Sequence, residues 1–227
     1  MRTTAFVLYV LVAASVPSAA DKTATFDDQA CLEGAGVRGD VTIVLGKGRD
    51  GSSGALQLTP GSSVAFKLAE VDGAGKVSLW VYDDGSAPDD AKRRHVGPRW
   101  GLRQNDGRVL GIGTLYAPYL AGDKTYCTTE SADGKNWFNV QYLGACRRAK
   151  GWHEWTFDMD PEKGLTISMD GKDVNARRKR FDWNKTKLAG FNAVVIYGDS
   201  KDGKQTILVD DLAASTAGAM AVTYRPA

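Results

Sequence analysis

From residue 40 onward the chain repeats one pattern: a short run rich in β-branched, aromatic and aliphatic residues, then a turn cluster built on Gly with Asp or Asn. The runs include VTIVL (41–45), SVAFKLAEV (63–71), KVSLWVYDD (76–84), RWGLRQ (99–104), NWFNVQYLG (136–144) and TILVDDL (206–212), and the punctuation is DGSSG, DGAG, NDG, ADG, MDG and KDG. Asp-Gly and Asn-Gly adopt positive φ at low cost, which tight hairpin turns demand. Strands spaced by about 8–12 residues suit a sandwich or barrel, and no 3.6-residue apolar period persists long enough for a helix. The expectation is an all-β chain, an antiparallel β-sandwich of two sheets, with most glycines acting as hairpin punctuation. No Pro- or Ser-rich linker divides residues 21–227, which read as one domain.

Composition removes competing classes. With 43% apolar and 25% charged residues the chain is not disordered. Its 26 glycines follow no G-X-Y period, so it is not collagen. A formal net charge of +2 excludes a global nucleic-acid footprint.

Residues 1–20 read as an export signal: Arg2, an apolar stretch from Ala5 to Ala14, then Ser18-Ala19-Ala20 before Asp21. About ten apolar residues are too few to span a bilayer as a helix, which needs about 20, and no later stretch is long enough. The expected product is a secreted or periplasmic protein without a membrane span, taken as a monomer. Export permits disulfides. Cys127 and Cys146 flank a segment read as a loop followed by a strand, so a Cys127–Cys146 bond is expected, leaving Cys31 over; the alternatives are a Cys31 pair or three free thiols. No CxxC or HxxxH spacing supports a zinc site.

Period-two reading sorts the strand faces. Val77, Leu79 and Val81 point to the core, and Trp80 and Tyr82 point away. Trp137, Asn139 and Gln141 share one face of their run, and Arg99 and Arg103 share another, opposite Trp100 and Leu102.

Residues 151–174, GWHEWTFDMDPEKGLTISMDGKDV, hold a Trp-His strand, a turn, a second strand and an Asp-Gly hairpin. This segment resembles the signature hairpin of laminin-G-like domains within the concanavalin A-like lectin/glucanase group, and FNAVVIYGDSKDGKQTILVDDLAAS resembles that group's closing strands. The resemblance implies a concanavalin A-like jelly roll. It also implies glycan binding as the commonest role, some members being glycanases or polysaccharide lyases, and a structural Ca²⁺, for which Asp27, Asp28 and Asp211 are the candidate ligands. Its motif residues serve packing and turns and identify no activity.

Catalysis finds thin support. The group's glucanases carry E-x-D-x-x-E on one strand, and the five glutamates Glu33, Glu70, Glu130, Glu154 and Glu162 never show that spacing. Glu154 and Asp158 share a strand face, but at about 13 Å apart they exceed the roughly 5–9.5 Å of a glycosidase pair. A lyase needs a base and a charge neutraliser, and His95 beside Arg93, Arg94 and Arg99 supplies those types. A protein-recognition module is a third reading.

Binding is the better match. Flat aromatics stack on sugar rings, while amides and guanidiniums engage hydroxyls. Trp80, Tyr82, Arg99, Arg103, Trp137, Asn139 and Gln141 are the candidate contacts. Lys92–Arg94, Arg147–Lys150 and Arg177–Arg180 are basic clusters between strands; if they converge, an anionic polysaccharide is the natural ligand, though the acidic stretch 83–90 neutralises the first as readily. The sequon at Asn184 matters only in a eukaryotic host. The expected function is carbohydrate binding on a curved sheet face, without catalysis and without nucleic acid.

Overall fold

In the computed structural model, described here over residues 22–49, 51, 54–71, 74–86, 95–117, 124–160, 162, 164–174 and 190–216, the regular structure is β apart from one 3-10 turn, Gln29–Leu32. The first strands are β1 (Lys22–Ala24), β2 (Gly36–Arg38), β3 (Val41–Leu45), β4 (Gly54–Leu58) and β5 (Ser63–Val71). Then come β6 (Gly75–Asp83), β7 (His95–Gln104), β8 (Val109–Tyr116), β9 (Lys124–Ser131) and β10 (Trp137–Arg147). The last are β11 (Gly151–Asp160), β12 (Gly164–Met169), β13 (Lys172–Asp173), β14 (Phe191–Tyr197) and β15 (Ile207–Thr216). Every run cited above falls in a strand. Missed were the short strands β1, β2 and β13 and, among the longer ones, β9, whose sequence KTYCTTES lacks apolar alternation. Its threonines are nonetheless buried, and Thr125 donates its hydroxyl to the carbonyls of Leu143 at 2.9 Å and Cys146 at 2.6 Å.

All pairings are antiparallel and build two sheets. One runs β13-β12-β11-β6-β15-β4-β3, with β1 also on β15; the other runs β10-β9-β8-β7-β14-β5-β2. They close on one core. Val77, Leu79 and Val81 of β6 face inward as expected, with Trp155 and Phe157 of β11, against Trp100, Leu102, Ile112 and Tyr126 of the seven-stranded sheet. Three rings bridge the sheets edge to face, Trp100–Trp155 at 5.3 Å, Tyr126–Trp155 at 4.9 Å and Trp100–Tyr126 at 6.0 Å, a geometry that matches ring quadrupoles.

The outer face of the seven-stranded sheet carries its own apolar layer. Val109, Ala193 and Val195 are buried there beneath Trp137, Tyr197 and Ala65. Mid-strand glycines thin the sheet at its centre: a Cβ on Gly101 would come within 2.1 Å of the Leu110 carbonyl oxygen, and one on Gly113 within 3.2 Å of the Arg99 Cγ. These glycines are close-approach positions and not turn residues, exceptions beside the many positive-φ glycines that serve as punctuation.

The expected Cys127–Cys146 disulfide does not form; all three cysteines are free. Cys127 sits mid-strand in β9, not at a loop edge, and packs outward with Leu115, Ala117 and Val96. Cys146 belongs to the core between the sheets. The two thiols occupy opposite faces of one sheet.

Candidate functional site

A groove of about 610 Å³ opens on the outer side of the seven-stranded sheet. Gly134, Lys135 and Trp137, from the hairpin joining β9 to β10, form one wall, while segments 38–40, 59–63 and 198–201 form the other. Arg99 on β7 and Tyr197 on β14 form the floor; they are direct cross-strand partners. Three lining glycines, Gly39, Gly61 and Gly134, have φ of 75°, 82° and 72°, which only Gly adopts freely.

A bulge places Arg99. The β7–β8 register breaks between Val96 and Arg99, where Gly97 and Pro98 intervene. Proline has no N–H to continue the ladder, and Arg99 Nη2 donates to the Val96 carbonyl at 3.0 Å. The Arg99 stem crosses side-chain-free Gly113, and its guanidinium carbon lies 5.0 Å from the centre of the Trp137 ring, a cation–π stack. Trp137 meets Tyr197 edge to face at 5.1 Å and 83°. Cation, indole and phenol therefore form one continuous platform.

Burial lowers the Arg99 pKa, partly countered by the fields of Cys127, Asp199 and Tyr197. Burial raises the Tyr197 phenol above its usual value against the opposing pull of Arg103. Asp199 is buried and serves its own loop, accepting from the N–H groups of Ser200 at 2.7 Å and Gln205 at 3.0 Å.

Of the residues proposed from sequence, Arg99 and Trp137 meet in this groove. Trp80 and Tyr82 lie on the outer face of the other sheet, so the proposed set splits between opposite sides of the sandwich. There Arg49 covers the Trp80 ring at 4.4 Å and pairs with Asp211 at 3.0 Å, and Tyr82 packs against Trp152 at 5.4 Å. Arg103 shares the Arg99 face but donates to Asn192 at 3.1 Å. A bulge between Phe138 and Gln141 interrupts the alternation that grouped Asn139 and Gln141 with Trp137, and those two side chains lie outside the described residues.

The proposed calcium ligands do other work. Asp28 caps the 3-10 turn through Ala30 N–H at 2.8 Å, Asp27 accepts from the Thr25 hydroxyl at 2.8 Å, and Asp211 holds Arg49. Among the described residues no group of three or more His, Cys, Asp or Glu side chains is placed to hold a metal ion.

The basic clusters 92–94 and 177–180 and the His95 side chain lie outside the described residues. Arg148, from the remaining cluster, is structural: it is ion-paired with Asp83 inside the sandwich. His153 bridges the Asp170 carboxylate at 2.8 Å and the Ala149 carbonyl at 2.9 Å, locking the Trp-His strand to the Asp-Gly turn. Sequence reading missed Tyr197, Lys135, Lys201 and Arg38. For Tyr197 the signal was present, since it alternates with Ala193 and Val195 at the end of an apolar strand.

No protein-family model matches the chain, and no curated protein matches it in sequence. Solved structures match its fold. The cellulose-induced protein Cip1 superposes with a TM-score of 0.54 at 10% identity, over 79% of this chain and 87% of that one. The Crh5 transglycosylase in complex with NAG gives 0.53 at 16% identity, over 91% and 85%. The globular domain of T. cruzi calreticulin gives 0.53 at 12% identity, over 86% and 88%. These are likenesses of fold, a jelly-roll-like antiparallel β-sandwich.

Proposed function

We propose that the protein is an exported carbohydrate-binding β-sandwich of the concanavalin A-like, laminin-G-like group, holding a polysaccharide in the groove beside Trp137 without transforming it. One observation carries this reading: an indole, a phenol and a stacked guanidinium converge in an open groove of about 610 Å³. Ligand sites fall in the range of about 300–1,000 Å³. Aromatic faces receive the C–H side of a pyranose, and Ser63, Lys135 and Lys201 line the groove with groups that can hydrogen-bond hydroxyls. The fold likeness to a transglycosylase solved with NAG agrees with this reading by analogy. Asp40 and Asp199 are the carboxylates lining the groove, Asp199 accepting from two N–H groups of its own loop, and neither is assigned a catalytic role.

A second reading, a polysaccharide lyase, is favoured by the cross-strand adjacency of Tyr197 and Arg99, a phenol to move a proton beside a cation to neutralise a uronate. The raised phenol pKa makes Tyr197 a poor base at neutral pH, which places this reading second. A glycan array on the purified protein, with bound glycans assayed for new reducing ends and unsaturated uronate, tests both. Binding without product supports the binding reading, product transfers the groove to the lyase, and a blank array sinks both.

A further inference from the structure

Resting on the reading that this groove holds a polysaccharide, we infer that its ligand is anionic, a sugar polymer bearing carboxylate or sulfate groups, and that Arg99 is the residue that reads the anion. The charges lining the groove are Arg38, Arg99, Lys135 and Lys201 against Asp40 and Asp199. Asp199 accepts from its own loop through both oxygens yet keeps its charge, whose field reaches Arg99, so four cations face two carboxylates. The open part of the groove is therefore cationic.

Arg99 is the unsatisfied member. Its Nη2 is used by the Val96 carbonyl, while its Nε is sealed from solvent without any hydrogen-bond partner. Among the described residues no carboxylate lies within ion-pair distance of it. Withdrawing a cation from water without a counter-ion is costly, and the same chain shows how it treats an arginine used only for structure. Arg148, withdrawn inside the sandwich, donates two bonds to Asp83, at 2.7 and 2.6 Å, and has a full counter-ion although its Nη1 is left without a partner. If Arg99 served only to pack against Trp137, an apolar side chain of similar length would do so without desolvating a charge. The planar guanidinium matches a carboxylate or sulfate edge through two N–H groups, and Trp137 holds that plane at the groove floor.

The test is calorimetric titration of the purified protein with three oligomers of equal length: an oligouronate, its carboxyl-reduced neutral form, and a sulfated oligosaccharide. The expected result is at least about tenfold tighter binding of one anionic oligomer than of the neutral form, weakened by added salt, with the two anionic arms naming the group. Arg99→Gln is expected to erase the preference. Because that change also loosens the Trp137 stack, the exposed pair Lys135→Gln/Lys201→Gln is the second variant, expected to reduce both the preference and its salt dependence while the protein stays folded. Equal affinity for neutral and anionic oligomers, unchanged in both variants, overturns the inference and leaves carbohydrate binding standing. Failure of all three oligomers together with a blank glycan array overturns both.

Discussion

Arg148 and Asp83 meet through two charge-assisted hydrogen bonds, Nε to Oδ2 at 2.7 Å and Nη2 to Oδ1 at 2.6 Å, with side chains only 1% and 2% exposed. Tyr126 donates its hydroxyl to the same carboxylate at 2.8 Å, and Gly85 donates its N–H at 2.8 Å. The pair ties the end of β6 to the segment after β10, and so ties one sheet to the other.

Removing one partner strands the other charge. Arg148→Met is expected to cost about 3–5 kcal/mol, and Asp83→Asn/Arg148→Met less than the sum of the two single changes. Burial alone would raise the Asp83 carboxyl, but the Arg148 bonds and charge outweigh it and hold the group below its usual 3.8. A depressed carboxylate contributes stability that is complete above 3.8 and lost as pH falls through the folded value. Urea titrations from neutral to acid pH should show this loss in the parent and a flatter acid limb in Asp83→Asn. A single variant as stable as the parent would refute the coupling.

His153 works in the opposite direction. Burial disfavours its charge, yet hydrogen bonds to Asp170 and the Ala149 carbonyl outweigh burial and raise its pKa above 6.5. Both partners are acceptors, so the doubly protonated ring suits them best. The Asp83 charge acts in the same sense, while the Tyr126 ring packs edge-on at 6.4 Å. This stabilisation is present in full below 6.5 and fades as pH climbs through the folded value. Melting temperatures measured from about pH 5 to 8 should decline in the parent relative to Asp170→Asn, which keeps an acceptor for the Glu154 N–H. Parallel curves would remove His153 from this role.

What the sequence made legible follows from what alternation encodes. Val77, Leu79 and Val81 declare an inward face, and Asp-Gly turns declare where strands end. β9 stayed hidden because its buried face is built largely of threonines, Thr125 among them spending its hydroxyl on two carbonyls, so no apolar alternation marks it. Alternation reports which face a side chain takes but not which sheet it belongs to. Trp80 and Trp137 were therefore grouped, although β6 and β10 belong to different sheets. Arg99 was correctly placed outward, yet its bulge at Gly97–Pro98 and its partner Tyr197 depend on β14, which arrives from almost a hundred residues away.

That division separates two tryptophans experimentally. Trp137→Ala should weaken glycan binding by about two- to tenfold. Trp80→Ala should leave glycan affinity intact and lower stability, since Arg49 loses a stacking contact worth about 0.5–1 kcal/mol. Paired titration and denaturation of both variants checks this, and the reverse assignment of effects would place the sugar on the eight-stranded sheet.

Free thiols make a chemical prediction. Alkylation of the unfolded chain without reductant should label all three cysteines. In the folded protein Cys31 should react slowly at neutral pH: burial, then the Asp28 charge, pushes its pKa up to about 11, which keeps the nucleophilic thiolate scarce. Mass spectrometry counts the labels, and a single label on the unfolded chain would reveal a bond that the two opposite faces of the sheet do not permit.

Gly134 tests how the groove wall is held. Its φ of 72° is left-handed, which costs an L side chain roughly 1–2 kcal/mol, and a Cβ there would sit 2.6 Å from the Tyr197 hydroxyl oxygen. Gly134→Ala should therefore destabilise the fold by more than the backbone cost alone, and push the hairpin away from the platform so that glycan binding weakens. Tyr197→Phe removes the clashing oxygen without disturbing the ring contact with Trp137. In the Gly134→Ala/Tyr197→Phe double variant the steric part should be recovered while the backbone part remains, giving a favourable coupling in a double-mutant cycle. Strict additivity in both stability and affinity would mean that the hairpin does not rest on Tyr197.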